Sequence, residues 1–208
     1  MNKYVSEFLS LKCSADVLKV CNPLGKKTQK EITESIGIIK RLKPLVIKHP
    51  MKYTLYDFCA GNALTSIIAI YLLPIKSAIA IDIRKRERDW DKVNRFTYKF
   101  EDIYKFDISK IEENSIIISV HACSDLSEKI IDIYNKSKAT YLILMPCCIG
   151  KLNNKFPQIF RTKLGKYTLW CWHLMEKCKG KNIMREDKNI LSPKNIIIIS
   201  KKEEQDEI

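Results

Sequence analysis

Tyr56-Asp57-Phe58-Cys59-Ala60-Gly61-Asn62-Ala63-Leu64-Thr65 reads YDFCAGNALT and lies between two apolar runs, residues 53–55 and 66–73. A strand that turns at Gly61 into a helix aims backbone N–H groups and the positive end of the helix dipole into a crevice. Dinucleotide-binding turns carry three glycines there, so that a diphosphate can approach the backbone. Here Cys59 and Ala63 fill two of those places and only Gly61 remains. A bulky diphosphate would be crowded, whereas a ligand without phosphate would fit. The plainer reading is an ordinary strand-to-helix turn that uses the backbone freedom of Gly61.

Outward from this turn the chain alternates between strand and helix patterns. Strands are predicted at 53–58, 77–82, 96–100, 115–121, 139–146, 183–188 and 195–200. Helices are predicted at 62–73, 87–94, 125–137 and 166–178. Short apolar strands separated by helices imply a mostly parallel sheet covered on both faces. The last two strands are joined only by Leu191-Ser192-Pro193-Lys194, too short for a helical crossover, so that pair should be antiparallel. The expected fold is therefore α/β, with a seven-stranded Rossmann-like sheet of the methyltransferase variant whose last strand runs antiparallel. Residues 1–50 read as a helical N-terminal extension, 51–201 as the main domain and 202–208 as a charged tail. Within the extension, Thr28 can cap a helix with Glu31 three residues on, and Pro44 should kink or end it.

The acids at the strand ends define the ligand further. Asp57 closes the first strand and can accept from an amine. Asp82 follows 25 residues later, where a carboxylate can accept both ribose hydroxyls. An NADP site would favour arginine there instead. Asp102 follows the third strand, at the height of an adenine amine. A cofactor with amine, carboxylate, ribose and adenine but no phosphate is S-adenosyl-L-methionine. Its predicted contacts are Asp57, Cys59, Ala60, Gly61, Asn62, Asp82, Ile83, Asp102, Ile103 and His121.

Charge bears on the partner. The chain has 37 Lys and Arg against 24 acids, a net charge of +13. Dispersed positive charge suits a polyanion such as RNA, although a composition rich in Lys, Ile and Asn inflates it without any nucleic acid. Candidate nucleic-acid contacts are Lys26, Lys27, Lys30, Arg84 and Lys151, the last in the loop 149–156. Eight cysteines without a Cys-x-x-Cys pair read as free thiols of a reduced, cytoplasmic protein. No apolar run is long enough to span a membrane, and residues 1–17 do not read as a signal peptide.

The fourth and fifth predicted strands end in His121-Ala122-Cys123-Ser124-Asp125 and Pro146-Cys147-Cys148. In order, DFCAGNA, AIDIRKRE, HACSDL and PCCIGKL resemble a methyltransferase domain family that includes some RNA 2'-O-methyltransferases. The resemblance covers about residues 53–152. It implies that the ends of strands four and five flank the transferable methyl group, with His121, Asp125 and Cys147 as catalytic candidates. His121 could be a general base or a cofactor contact, or could simply hydrogen-bond a neighbouring loop. Cys147 could add to a pyrimidine ring as a nucleophile, or pack as a small apolar group. His121, Cys123, Cys147, Cys148, Cys171 and His173 could converge on a structural zinc, but His121-x-Cys123 is not a tetrahedral pair by itself and adjacent Cys147 and Cys148 are awkward joint ligands, so no metal is expected. Trp170, Trp172, Tyr167 and His173 are expected to pack on the sheet, with one tryptophan partly exposed. Two competing readings are methylation of a protein or small molecule, and a cofactor-binding subunit without activity.

Overall fold

The computed structural model describes residues 1–23, 25–152 and 156–203. Seven strands form one sheet: β1 (Thr54–Phe58), β2 (Ser77–Asp82), β3 (Phe96–Phe100), β4 (Ser115–Val120), β5 (Tyr141–Met145), β6 (Lys181–Glu186) and β7 (Ile196–Lys201). Their order is β3-β2-β1-β4-β5-β7-β6. The first five run parallel, and β7 is antiparallel to both of its neighbours, β5 and β6. The chain moves outward from β1 to β3, then returns to place β4 on the other side of β1. That reversal opens a crevice at the carboxyl ends of β1 and β4, the usual ligand position in an open α/β sheet.

Strand periodicity divides the core between two layers. Leu55, Ile116, Ile118, Ile143 and Ile197 face the layer containing α3 (Thr28–Val46) and α4 (Leu64–Leu72). Their neighbours Tyr56, Ile117, Leu142, Leu144 and Ile198 face α5 (Asp125–Lys136) and α6 (Gln158–Lys177). This is the period-2 alternation of a sheet buried on both sides.

The first 50 residues join the first of these layers. They form α1 (Lys3–Leu9), α2 (Ser14–Cys21) and α3, and Phe8, Val17, Ile38 and Leu42 are fully buried in one cluster with Ile67 and Ile116. Fully burying a side chain of this size contributes roughly 1.5–3 kcal/mol. Polar contacts add register. The Tyr4 hydroxyl donates to Asp187 at 2.7 Å, where Arg41 also pairs at 2.9 Å. Asn2 caps α1 and donates to the Asn189 carbonyl at 2.8 Å.

Two local expectations need correction. Thr28 is not the cap of α3: it lies one residue inside the helix, and its hydroxyl donates to the carbonyls of Pro23 and Gly25 at 3.3 and 2.9 Å. The 3-10 turn Gly25–Lys27 runs straight into the helix and removes the need for a side-chain cap. The helix predicted at 87–94 is instead a loop with a short 3-10 turn, Trp90–Lys92. Trp90 and Val93 are the only apolar anchors in that stretch, and Trp90 stacks on Tyr98 at 3.7 Å and 12° rather than starting an amphipathic face. The helix predicted from 166 does begin after a break: Gly165, at φ 76° and ψ 154°, divides α6. Trp170 is fully buried and Trp172 is 41% exposed, as expected of that aromatic cluster.

Candidate active site

The turn after β1 is held in an uncommon backbone conformation. Cys59, Gly61 and Ala63 have φ of 59°, 56° and 56°. Two of these are not glycine, and such strain persists where the surroundings enforce it, often at a binding site. The turn closes on β2: Gly61 N–H donates to Asp82 Oδ2 at 2.9 Å, and the Tyr98 hydroxyl donates to the Gly61 carbonyl at 3.1 Å. Cys59 is half-buried, and burial pushes its thiol up to about 12. Ala60 N–H donates to the Ile81 carbonyl at 3.2 Å.

The three predicted acids lie at the three strand ends but in different states. Asp57 is buried, and its Oδ2 accepts from the Ser66 hydroxyl at 2.7 Å. Its Oδ1 is buried without a partner. Burial outweighs the Ser66 hydrogen bond and raises this carboxyl to about 7. Asp82 is also buried, yet well satisfied: its Oδ1 accepts from Arg84 N–H at 2.8 Å and Arg84 Nε at 3.1 Å. Burial alone would raise the Asp82 pKa, but the hydrogen bonds from Arg84 and Gly61 prevail and hold it below the usual range. Asp102 accepts from Tyr104 N–H at 2.9 Å, beside buried Ile103. Ile83 is exposed at the rim.

At the end of β4, His121 has φ 65° and Ser124 has φ 42°, so the loop that carries Ala122 and Cys123 is pinned between two residues of positive φ. His121 N–H donates to the Met145 carbonyl of β5 at 2.8 Å. Its Nε2 lies against Oε1 of Glu34 as an ion-pair contact, without hydrogen-bond alignment, and its Nδ1 is buried with no partner. Glu34 comes from α3, is only 1% exposed, and also pairs with Lys30 at 3.5 Å. One turn earlier, burial raises the Glu31 pKa, repulsion from Glu34 adds to the rise, and a hydrogen bond with Asn62 opposes it. Sequence reading named neither glutamate as a site residue. The available signal was a pair of acids at i and i+3 beside Ile32 and Ile36, on a helix otherwise rich in apolar residues.

The catalytic candidates are brought together only in part. Asp125 opens α5 and is exposed, and among the described residues nothing ties it to His121. Cys147 does approach: its thiol donates to the His121 carbonyl at 3.3 Å. Cys123, Cys147 and Cys148 form a triangle with Sγ separations of 3.0 Å (123–147), 3.4 Å (147–148) and 3.2 Å (148–123). Burial pushes the Cys147 thiol well up, and the neighbouring thiols push it further. Gly150, just beyond, packs under Trp170, where an added Cβ would stand 2.3 Å from the indole ring.

The basic candidates are more scattered. Lys27 and Lys151 are exposed, Lys30 pairs with Glu34, and Arg84 folds back onto Asp82. The side chain of Lys26 and residues 153–155 of the loop after β5 lie outside the described residues, as do 204–208 of the tail.

Three of the orphaned polar atoms share a place. Asp57 Oδ1, Asn62 Oδ1 and His121 Nδ1 are all buried without a partner, and all belong to the ends of β1 and β4 or to the turn between β1 and α4. Buried polar groups are rarely left unpaired without reason, and a polar ligand in the crevice would satisfy them. The profile of a methyltransferase domain family matches residues 26–155, more than half of the chain, and the chain belongs to that family. No curated protein matches the sequence. Among solved structures it is similar to the CurJ carbon methyltransferase, with 14% identity over 96% of this chain and 64% of that one and a TM-score of 0.57. An rRNA methylase from Streptococcus thermophilus gives 11% identity over 79% and 96% of the two chains, at 0.52. The methyltransferase domain of bacterial CtHen1 gives 10% over 83% and 99%, at 0.51. At such identities the structural likeness is one of fold. Family and fold together make this protein a methyltransferase. Among the described residues, no helix is long and apolar enough to cross a membrane.

Proposed function

We propose that this methyltransferase uses S-adenosylmethionine bound across the ends of β1, β2 and β4, and that its substrate is RNA. The observation that carries the cofactor reading is the pair of buried carboxylates on adjacent strand ends, one with an orphaned oxygen and one ionised. Asp57 Oδ1 is free to accept from the ligand's ammonium group. Asp82 would take the ribose hydroxyls once the exposed Arg84 side chain gives way, and the Gly61 N–H holds the carboxylate in place meanwhile. When bound, S-adenosylmethionine supplies an electrophilic methyl group. His121, braced at Nε2 by Glu34, presents Nδ1 to take a proton from the acceptor. The raised Cys147 thiol favours a packing or ligand role over thiolate attack on a base. The RNA reading leans on the charge of +13 and on exposed Lys27, which precedes the helix that carries Glu31 and Glu34. Exposed Lys151, in the loop after β5, supports it as well. HACSDL and PCCIGKL resemble a methyltransferase domain family that includes some RNA 2'-O-methyltransferases beside proteins of other substrates, and this is in keeping with an RNA acceptor.

Two measurements test these halves separately. Asp57 in the folded chain stays protonated up to about pH 7, well above its unfolded range. The stability this adds is fully present in acid and is lost as pH rises through 7. An ammonium ligand selects the ionised form and so expels the proton. Affinity for S-adenosylmethionine should therefore climb by up to about tenfold per unit between roughly pH 5.5 and 7, then level off. Calorimetry should show proton release over that range, and Asp57→Asn should flatten both the slope and the release. A pH-independent affinity would remove Asp57 from the site. For RNA, binding should fall steeply with salt, and Lys27→Ala and Lys30→Ala should each reduce the log–log slope by about one. Affinity insensitive to salt would return the charge to mere composition. Incubation with labelled cofactor and cellular RNA, DNA or protein identifies the acceptor class.

A further inference from the structure

We infer that Cys123, Cys147 and Cys148 form a binding site for one thiophilic metal ion of the zinc class, clamped between the loops that follow β4 and β5. The three sulfurs lie within 4.8 Å of one another, and among the described residues no other group of His, Cys, Asp or Glu converges in this way. Each pair of sulfurs is in contact, at 3.0, 3.2 and 3.4 Å, so the triangle is closed rather than a chain of chance neighbours. Zinc holds thiolates at about 2.3 Å in a tetrahedron, which sets neighbouring sulfurs about 3.8 Å apart. Opening the triangle to that size takes less than about an ångström per edge, and Cys123 and Cys148 are exposed and free to turn.

The objection raised by spacing is that adjacent cysteines point apart. That holds in an extended strand, where side chains alternate. Here β5 ends at Met145, and Cys147 and Cys148 lie beyond it, in irregular backbone that brings both sulfurs to one side. Cys123 reaches them from a loop that is pinned by positive φ at His121 and Ser124. All eight cysteines are free, so no disulfide competes for these sulfurs. Three protein ligands leave a fourth position, and the exposure of Cys123 and Cys148 puts it within reach of water or a substrate heteroatom. Soft thiolates select zinc-like ions over magnesium or calcium. On binding, each thiol gives its proton to solvent, so up to three protons are released, and a dication with three thiolates carries a net charge of −1. The site does not depend on the identity of the methyl acceptor.

The test uses the full-length chain, reduced, stripped with a chelator and titrated with Co²⁺, then Zn²⁺. One Co²⁺ per chain should bind with thiolate-to-cobalt charge-transfer absorption, and one Zn²⁺ should displace it. Cys123→Ser, Cys147→Ser and Cys148→Ser should each weaken cobalt binding by at least about tenfold. Cys171→Ser, at a buried position within α6, should leave it unchanged. If a serine variant fails to fold, alkylation of the wild type still decides: zinc should protect Cys123, Cys147 and Cys148, located by peptide mass. Absence of the cobalt–thiolate band in the reduced wild type, or zinc protection falling on other cysteines, overturns the site.

Discussion

Asp82→Ala is expected to weaken S-adenosylmethionine binding by roughly 30- to 150-fold, the worth of about 2–3 kcal/mol for a charge-assisted bidentate pair. The carboxylate is buried, ionised and already positioned by Gly61 N–H. Part of the loss will come from the turn itself, since removing Asp82 also frees the Gly61 end of that turn. Arg84→Ala separates the two contributions. It deletes the side chain that occupies Asp82 Oδ1 at 3.1 Å and leaves the backbone N–H of residue 84 and that of Gly61 in place. Affinity in Arg84→Ala should match or exceed that of the wild type by calorimetry. If NAD binds and the sulfonium cofactor does not, the assignment of this crevice fails outright.

His121→Ala should lower turnover by about 100-fold or more, the usual worth of a positioned general base, with cofactor affinity changed only a few fold. The buried Glu34 contact is the reason to expect more than a passive histidine: a carboxylate against Nε2 fixes the orientation of the ring and leaves Nδ1 for the acceptor. Glu34→Gln keeps the size but loses the charge, so its turnover should fall between those of the wild type and His121→Ala. Should turnover and cofactor affinity drop in parallel in His121→Ala, the ring is a cofactor contact instead. Steady-state kinetics alongside calorimetry distinguish the two outcomes.

The central strands were legible because each is a short apolar run buried along most of its length, and the antiparallel finish followed from the brevity of Leu191–Lys194. The acids at the ends of β1 and β2 were legible by spacing, since an α/β unit sets the distance from one strand end to the next. Glu31 and Glu34 were not, because nothing in a helix says which strand end it will cover. A buried acid within an apolar helix becomes intelligible only once His121 is seen beside it. Cys123, Cys147 and Cys148 could be named as candidates for convergence but were set aside on spacing, because spacing rules describe local ligand pairs and this cluster is assembled by β4 and β5 lying side by side. Trp90 shows the opposite failure, in which tertiary stacking on Tyr98 overrode a weak helical pattern.

The bond from Tyr4 to Asp187 joins residues 183 positions apart, and this has a consequence for how the molecule is made. At ribosomal rates of about 5–20 residues per second, α1 leaves the exit tunnel roughly ten to forty seconds before its partner exists. Throughout that wait the Tyr4 hydroxyl and Arg41 lack their shared carboxylate, while Phe8 and Glu7 already have α3 to pack on and pair with. The polar lock on the opening helix is thus among the last contacts to close, and a nascent chain halted before residue 187 should hold that helix by its contacts with α3 alone.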